Sequence, residues 1–375
     1  MKGSLFLAPL LAALLGLAAG AAAQQSTVAP KTAKKPVKTA QNAKKKRLPR
    51  VAPVDPTLGD NPDGDDLVVR RAAVDALGNQ AGSIVVVDPN NGRILTMVNQ
   101  KLALQSGFTP CSTIKLVTSL AALTEHVVEK DTTLHLGRYI NFNMTNALAK
   151  SNNQYFSALG NKLGFERVVH YAQMLGLGEK AGLDVDGELP GSIAGEPPKW
   201  GGVGLMTSFG EGFSMTPLEL AGMLSSIANG GTLYYLQYPR SSAGIEDFSP
   251  RVKRTLDIAP NGIEDIKVGM RGAVDHGTAV RANYDPNENI FGKTGTCTDF
   301  RAGSHMGWFG SFIESDKRPL VVVVMLTSPV KSVSGPVASG VAGAFYKNLS
   351  AQNYFVAETV KKSDLPEIIT CCSHH

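Results

Sequence analysis

Acidic residues are missing from the first 54 positions, which nevertheless hold ten of the 37 Lys and Arg residues. The formal charge of +5 over 375 residues is therefore a poor average. Beyond residue 54 there are 27 basic and 32 acidic side chains, a balance of −5. A mildly acidic globular part argues against a nucleic-acid-binding core and confines the basicity to an N-terminal arm. Cysteine is scarce, with four residues, and none ends the apolar run Leu5–Ala23, which argues against lipid attachment there. Five of the seven histidines, His276 and His305 among them, show no ligand spacing. The other two adjoin a cysteine pair in Cys371-Cys372-Ser373-His374-His375. Adjacent ligands at a chain end read as a tail, so no metal and no cofactor is expected. No internal repeat is visible.

What is present begins with a targeting pattern. Met1-Lys2 precedes the apolar run, and Ala21 and Ala23 stand before Gln24 as an A-x-A-like cleavage site. Residues 1–23 read as a signal peptide. The rival is an uncleaved inner-membrane anchor, since about 19 apolar residues approach the length that spans a bilayer. Pro9 and two glycines weaken that rival. Either way the chain is exported to the periplasm or cell envelope, where disulfides persist. Residues 24–66, rich in Lys, Ala, Pro and Asp, read as a basic linker that is a plain tether or associates with the anionic envelope.

A hydrophobic content of 43% supports a substantial core from about Leu67 onward. Leu67–Leu77 reads as a helix, and Ser83–Asp88 and Arg93–Val98 as strands joined through the turn residues Asn90-Asn91-Gly92. An apolar helix is expected from Ile114 to about Val128. An irregular stretch follows over 131–143, then helices near 145–150, 153–163 and 166–175. Residues 184–199 read as loop. Thr216-Pro217 opens another helix that stops at Asn229-Gly230-Gly231. A helix over about 262–274 precedes three strands, Ile290–Thr298, Gly307–Ile313 and Leu320–Thr327, and a helix over 336–349 closes the domain. The seven consecutive apolar residues of the last strand predict cover on both faces. Two early strands, a helical middle and three late strands give an α+β domain over 67–352, with one antiparallel sheet of about five strands shared by both ends. Residues 353–375 read as a tail.

Chemistry points to Pro110-Cys111-Ser112-Thr113-Ile114-Lys115. Ser112 and Lys115 lie one helical turn apart on one face. A serine hydroxyl is a poor nucleophile until a base takes its proton, and a lysine kept neutral by burial or a neighbouring cation can do so. By itself S-x-x-K is weak; Ser328-Pro-Val-Lys331 repeats it at the end of an apolar strand-like run, where Gly335-Pro336 beyond it marks a loop. Two companions raise the first. Ser151-Asn152-Asn153 is an S-x-N between helical segments, and Lys293-Thr294-Gly295, followed by Thr296, is a K-T-G on a strand. Gly295 inside a strand marks close approach of a backbone or ligand. The three motifs in this order form a known catalytic set.

On these residues the chain resembles the transpeptidase domain of penicillin-binding proteins, in the β-lactamase/transpeptidase-like superfamily. The resemblance runs from about Ser83 to Leu349, through Asn146–Asn153, Gly212–Pro217, Ala228–Gly231 and Gly307–Phe309, and is strongest to the class B type. It implies a mostly helical subdomain inserted between the early and late strands. The extra N-terminal domains usual in that type, and a glycosyltransferase domain, find no room before Leu67. The implied substrates are peptidoglycan stem peptides, with β-lactams as inhibitors or substrates. Ser112 would attack the penultimate D-alanine carbonyl to form an acyl-enzyme, with Lys115 as general base. Ser151 would relay a proton to the leaving D-alanine, and Asn153 would hold the substrate amide and Lys115. Lys293 would lower the proton affinity near Ser151. Thr294 and Thr296 would bind the terminal carboxylate, and the N–H groups of Ser112 and Thr296 would form the oxyanion hole.

The residue before the nucleophile is usually glycine in this family; here it is Cys111. Cys297 follows Thr296 and shares the strand parity of Lys293. Carbapenem-hydrolysing class A β-lactamases carry bridged cysteines at both matching places. The resemblance thus implies a Cys111–Cys297 disulfide; the alternative is two buried thiols acting as small hydrophobes. Trp308 reads as core or cleft wall, and Glu211 as a turn carboxylate that could instead line the cleft. A hydrolase of the same fold (D,D-carboxypeptidase or β-lactamase) is the second reading, and a non-catalytic penicillin-binding sensor or scaffold the third.

Overall fold

The computed structural model describes residues 55–105, 107–299, 303–330 and 332–356. The apolar N-terminal segment, the linker up to residue 54, Lys331 and the Cys/His tail lie outside the described residues.

Helix α1 (Leu67–Leu77) starts where Asp66 accepts hydrogen bonds from the N–H groups of Val68 and Val69. It leads into β1 (Gly82–Val87), β2 (Ile94–Val98) and a short α2 (Gln100–Gln105). A 3₁₀ turn (Cys111–Ile114) runs into α3 (Lys115–Thr124). A hairpin of β3 (Leu134–Gly137) and β4 (Ile140–Phe142) precedes α4 (Met144–Lys150), α5 (Asn153–Leu163) and α6 (Phe165–Met174). Then come β5 (Ser192–Ile193), α7 (Gly202–Phe209), β6 (Phe213–Ser214), α8 (Pro217–Ala228), β7 (Thr232–Tyr234), α9 (Ser242–Glu246) and β8 (Val252–Thr255). Helix α10 (Gly262–Asp275) precedes β9 (Ile290–Asp299), β10 (Ser304–Ile313), β11 (Leu320–Ser328) and α11 (Gly335–Ser350).

The five long strands form one antiparallel sheet in the order β2-β1-β11-β10-β9. Early and late strands meet at the centre, where Val85 pairs with Val323 and Val86 with Val322. Alternation then splits the core in two. Val85, Val87, Met97, Val321, Val323 and Met325 face the helical middle, packing with α3, α5 and α8. Ile84, Val86, Val98, Val322 and Val324 face α1 and α11. The sheet is covered on both faces, as the apolar run of β11 predicts.

Several boundaries differ from expectation. Ser112 lies in the 3₁₀ turn, not in the α-helix, and α3 stops at Thr124 rather than near Val128. The 131–143 stretch, read as irregular, holds the β3–β4 hairpin; its strands are short and only half-buried, too weak a pattern to register. The 184–199 loop contributes β5, which pairs with β6. Residues 60–66, expected to belong to the linker, make buried contacts with the domain. Asp60 and Asp65, which read as solvated linker charges, are 2% and 0% exposed and pair with Arg70 at 3.0 and 2.8 Å. Asp60 also accepts from the N–H groups of Asn99 and Gln100, and Asp65 from Thr96 and Tyr238. The carboxylates are buried because each finds charged and hydrogen-bonding partners at once.

Candidate active site

The site gathers where the 3₁₀ turn, α3, the α4–α5 junction and edge strand β9 converge. Ser112 is half-buried in the turn and Lys115 begins α3 one turn later. At three residues per 3₁₀ turn, positions i and i+3 eclipse, so serine and lysine share one edge as the spacing requires. The α4–α5 junction supplies the S-x-N motif. Ser151 closes α4 in a left-handed conformation (φ 55°), and Asn152 caps α5 by accepting from Tyr155 N–H. This reversal turns Ser151 and Asn153 together onto Lys115.

Lys115 Nζ donates to Ser151 O at 2.8 Å, Ser151 Oγ at 3.0 Å and Asn153 Oδ1 at 2.5 Å. It also lies 5.4 Å from the centre of the Phe156 ring. Lys293 Nζ donates to the same Ser151 Oγ at 2.8 Å and to Thr294 O at 3.0 Å. Both lysines are 0% exposed. Burial, and then the charge of Lys293, pulls Lys115 down from the ordinary lysine value to about 6. Burial pulls Lys293 down to about 7. Around neutral pH Lys115 is thus available as a base with a serine hydroxyl bridging it to the second amine.

The two threonines after Lys293 divide. Thr294 is 4% exposed, and its hydroxyl shares a 2.6 Å hydrogen bond with that of Thr278, beyond the C-terminus of α10. Thr296 is exposed, and its hydroxyl accepts from Gly335 N–H at 2.8 Å at the start of α11. Of the pair expected to hold a carboxylate, Thr296 stands at the surface and Thr294 is buried against half-buried Thr278. Sequence reading missed Thr278, which lies in a loop without periodicity or motif.

Gly295 leaves little room for a side chain. A Cβ there would sit 3.0 Å from Pro110 O, 3.2 Å from Cys111 Cβ and 3.2 Å from Trp308 Cβ. The strand therefore runs in contact with the turn that carries Ser112. Cys111 and Cys297 are bonded, with Cα atoms 5.6 Å apart, inside the range such bonds require. Cys111 has φ 52°, in the left-handed region. Glycine, which has no Cβ, adopts that conformation without strain. A non-glycine residue there costs about 1–2 kcal/mol. A cross-link over 186 residues restricts the unfolded chain by on the order of 5 kcal/mol, which more than offsets that cost in overall stability. Trp308 is fully buried and its Nε1 donates to Thr109 O at 3.1 Å, so it braces the turn.

Two clefts adjoin the site. One of about 510 Å³ is lined by Thr109, Ser192, Glu211, Phe213, Thr298 and Asp299. Glu211 lies in a turn and also lines this cleft, so both readings of it hold. The other, about 450 Å³, is lined by Asn153, Gln154, Ser157, Asn161, Leu205 and Phe209. Another buried carboxylate went unnoticed in the sequence. Glu219 completes a capping box with Thr216 and accepts from Gly178 N–H, and burial raises it to about 7. It fixes the start of α8 rather than contributing to the site. Among the described residues no His, Cys, Asp and Glu cluster suited to a metal occurs, and no helix is long and apolar enough to cross a membrane.

Comparison with known proteins follows from this geometry. The family profile described as "Penicillin binding protein transpeptidase domain" matches residues 82–349. Stage V sporulation protein D of Bacillus subtilis is 27% identical over 69% of this chain and 47% of its own length. Peptidoglycan D,D-transpeptidase MrdA of Acinetobacter baumannii is 26% identical over 62% of this chain and 43% of its own. The chain spans under half the length of these curated relatives. Among solved structures, the transpeptidase domain of Burkholderia pseudomallei penicillin-binding protein 3 superposes with a TM-score of 0.65. It is 21% identical and is covered over 97% of its length, against 78% of this chain.

Proposed function

The chain belongs to the penicillin-binding protein transpeptidase family, and from that premise we propose that it is a serine D,D-transpeptidase acting on peptidoglycan stem peptides. The observation that carries the proposal is the pair of buried lysines donating to one Ser151 hydroxyl. Neutral Lys115 takes the proton of Ser112, whose Oγ bonds to the carbonyl carbon of the penultimate D-alanine. The negative oxygen that develops is held by the N–H groups of Ser112 and Thr296. As the C–N bond breaks, Ser151 passes a proton to the departing D-alanine amine, the proton being replaced from Lys115. Asn153 orients the substrate amide and Lys115. Thr296, with Thr294 and Thr278 behind it, meets the terminal carboxylate, and Lys293 supplies positive charge. An amine of a second stem peptide then attacks the ester carbonyl, Lys115 accepting its proton, and Ser112 is released.

The reading places this chemistry outside the cytoplasm, in the periplasm or cell envelope, after export through residues 1–23. The basic segment before Asp55 then serves as the link to the envelope. Transfer is favoured over hydrolysis because, among the described residues, the side chains hydrogen-bonded to Lys115 and to Ser151 Oγ include no carboxylate. The deciding experiment follows the intact mass of the protein during incubation with benzylpenicillin, with Ser112→Ala as control. A long-lived adduct that depends on Ser112 is expected. An adduct that vanishes while penicilloate accumulates would shift the assignment to a β-lactamase, with Glu211 the first carboxylate to replace. No adduct on folded protein would remove the serine-nucleophile reading.

A further inference from the structure

The disulfide ties the turn that carries Ser112 to edge strand β9. Cys111 immediately precedes Ser112, and Cys297 immediately follows Thr296. Under the proposed function, on which this inference rests, those two neighbours carry the oxyanion donors. The bond therefore ties one donor-bearing segment directly to the other, through Cα atoms 5.6 Å apart.

The turn has other constraints, and they fix its ends rather than its conformation at residue 111. Trp308 holds Thr109 O, and Thr113 returns to Pro110 O through both its N–H and its hydroxyl. Gly210, at the end of α7, brings its Cα so close that a Cβ would stand 2.6 Å from Pro110 Cγ and 3.1 Å from Cys111 N. Residue 111 itself carries φ 52°, which L-residues other than glycine avoid. Without the bond, a side chain at 111 favours relaxation of φ to negative values. That change rotates the following peptide, which carries the N–H of Ser112.

We propose that the Cys111–Cys297 disulfide is a positioning device for catalysis, holding residue 111 left-handed so that the Ser112 and Thr296 N–H groups face one point. It substitutes a covalent constraint for the conformational freedom of glycine. Cys111 and Cys297 touch no reacting atom; they act through their neighbours. Acylation then depends on an oxidised site, and the chain works only where the bond is maintained.

The test compares two double variants of the full chain, C111A/C297A and C111G/C297A, both lacking the bond. Alanine at φ 52° meets the steric cost that cysteine meets, whereas glycine meets none. The rate of Ser112 acylation by benzylpenicillin is read by intact mass, well below each variant's unfolding temperature. C111A/C297A is expected to acylate about tenfold to a hundredfold more slowly than the parent, a loss typical of misplaced groups. C111G/C297A is expected to recover most of that rate. Equal rates in all three proteins overturn the proposal, because the bond then serves stability alone. Equal slowing in both variants overturns it too, because the conformation at 111 then decides nothing. If either variant does not fold, the parent reduced with dithiothreitol replaces it. Acylation should fall on reduction and return on reoxidation; an unchanged rate is fatal to the idea. A parent that takes no adduct at all defeats the transpeptidase reading and this inference together, an outcome distinct from the others.

Discussion

Lys115 and Lys293 converge on a single atom, Ser151 Oγ, at 3.0 and 2.8 Å. One hydroxyl offers two lone pairs and one proton, so Ser151 can accept from both amines at once. Burial lowers both amines, and the charge of Lys293 lowers Lys115 further, so Lys115 can accept a proton near neutral pH.

The first prediction follows from this sharing. Acylation should rise with pH through about 6, as Lys115 loses its proton, to a narrow plateau that ends above about 7, where Lys293 loses its charge. Lys293→Ala removes a cation that depresses Lys115, so the rising limb should move to higher pH. The plateau should fall by about a hundredfold, since Ser151 loses a donor facing developing charge. Penicillin acylation rates over pH 5–9, a range in which the parent stays folded by circular dichroism, check both effects. A limb that stays in place would show that Lys293 does not act on Lys115.

The same groups set a pattern of stability. Both lysines sit below their unfolded value of 10.5, at about 6 and 7 in the folded chain. Between pH 7 and 10.5 the unfolded chain binds more protons, so stability rises with pH there. Glu219 is shifted oppositely, from 4.5 up to about 7. Between those values the folded chain binds more protons, and stability falls as pH rises. The contribution of the three groups is therefore lowest near pH 7. Urea midpoints should show Lys293→Met flattening the alkaline rise and Glu219→Gln flattening the acid-side fall. A slope unchanged in either variant would remove that residue from the account.

Much of this site is legible in the sequence because its chemistry uses short, local spacings. Ser112 with Lys115, Ser151 with Asn153, and Lys293 with Gly295 each lie within one turn or one strand step. The sheet is legible because β1 ends in the apolar run Ile84–Val87 and β11 opens with the apolar run Leu320–Leu326, which only cover on both faces explains. What escaped reading was non-local or conformational. Thr278 meets Thr294 across a loop and β9, and nothing in its neighbourhood marks it. The choice of a 3₁₀ turn over an α-helix at Ser112 depends on Cys111 being left-handed, a backbone state that residue type alone does not announce. Asp60 and Asp65 looked like solvated charge because their partner Arg70 lies in a helix read as a separate element.

That last misreading yields a prediction about where the domain starts. Arg70 is satisfied by two carboxylates that are essentially unexposed. Removing one partner of a buried ionic group costs about 3–5 kcal/mol, because the remaining charges stay buried and unpaired. Arg70→Ala should therefore lower stability by about that amount. A chain beginning at Leu67 should be less stable than one beginning at Asp55, having lost both carboxylates. Urea unfolding of the two truncated chains checks this, and equal midpoints would return residues 55–66 to the linker.

Two glycines with nearly the same backbone allow strain to be separated from catalysis. Gly210 has φ 79° and Gly230 has φ 83°. Alanine at either position meets the same left-handed penalty, about 1–2 kcal/mol. Their surroundings differ. A Cβ at Gly230 meets nothing within 4 Å, whereas one at Gly210 would stand 2.6 Å from Pro110 Cγ and 3.1 Å from Cys111 N. Neither neighbour of Gly210 can yield cheaply, since one is a proline ring and the other is backbone. The displacement would pass straight into the turn that carries Ser112. Gly230→Ala should thus lose stability and keep the parent's acylation rate. Gly210→Ala should lose more stability, through overpacking worth about another 1–3 kcal/mol, and should also acylate at least about tenfold more slowly. Measured side by side with benzylpenicillin, equal acylation by the two variants would mean that the turn tolerates a shift at Pro110, and that the tight seating of α7 against it serves packing alone.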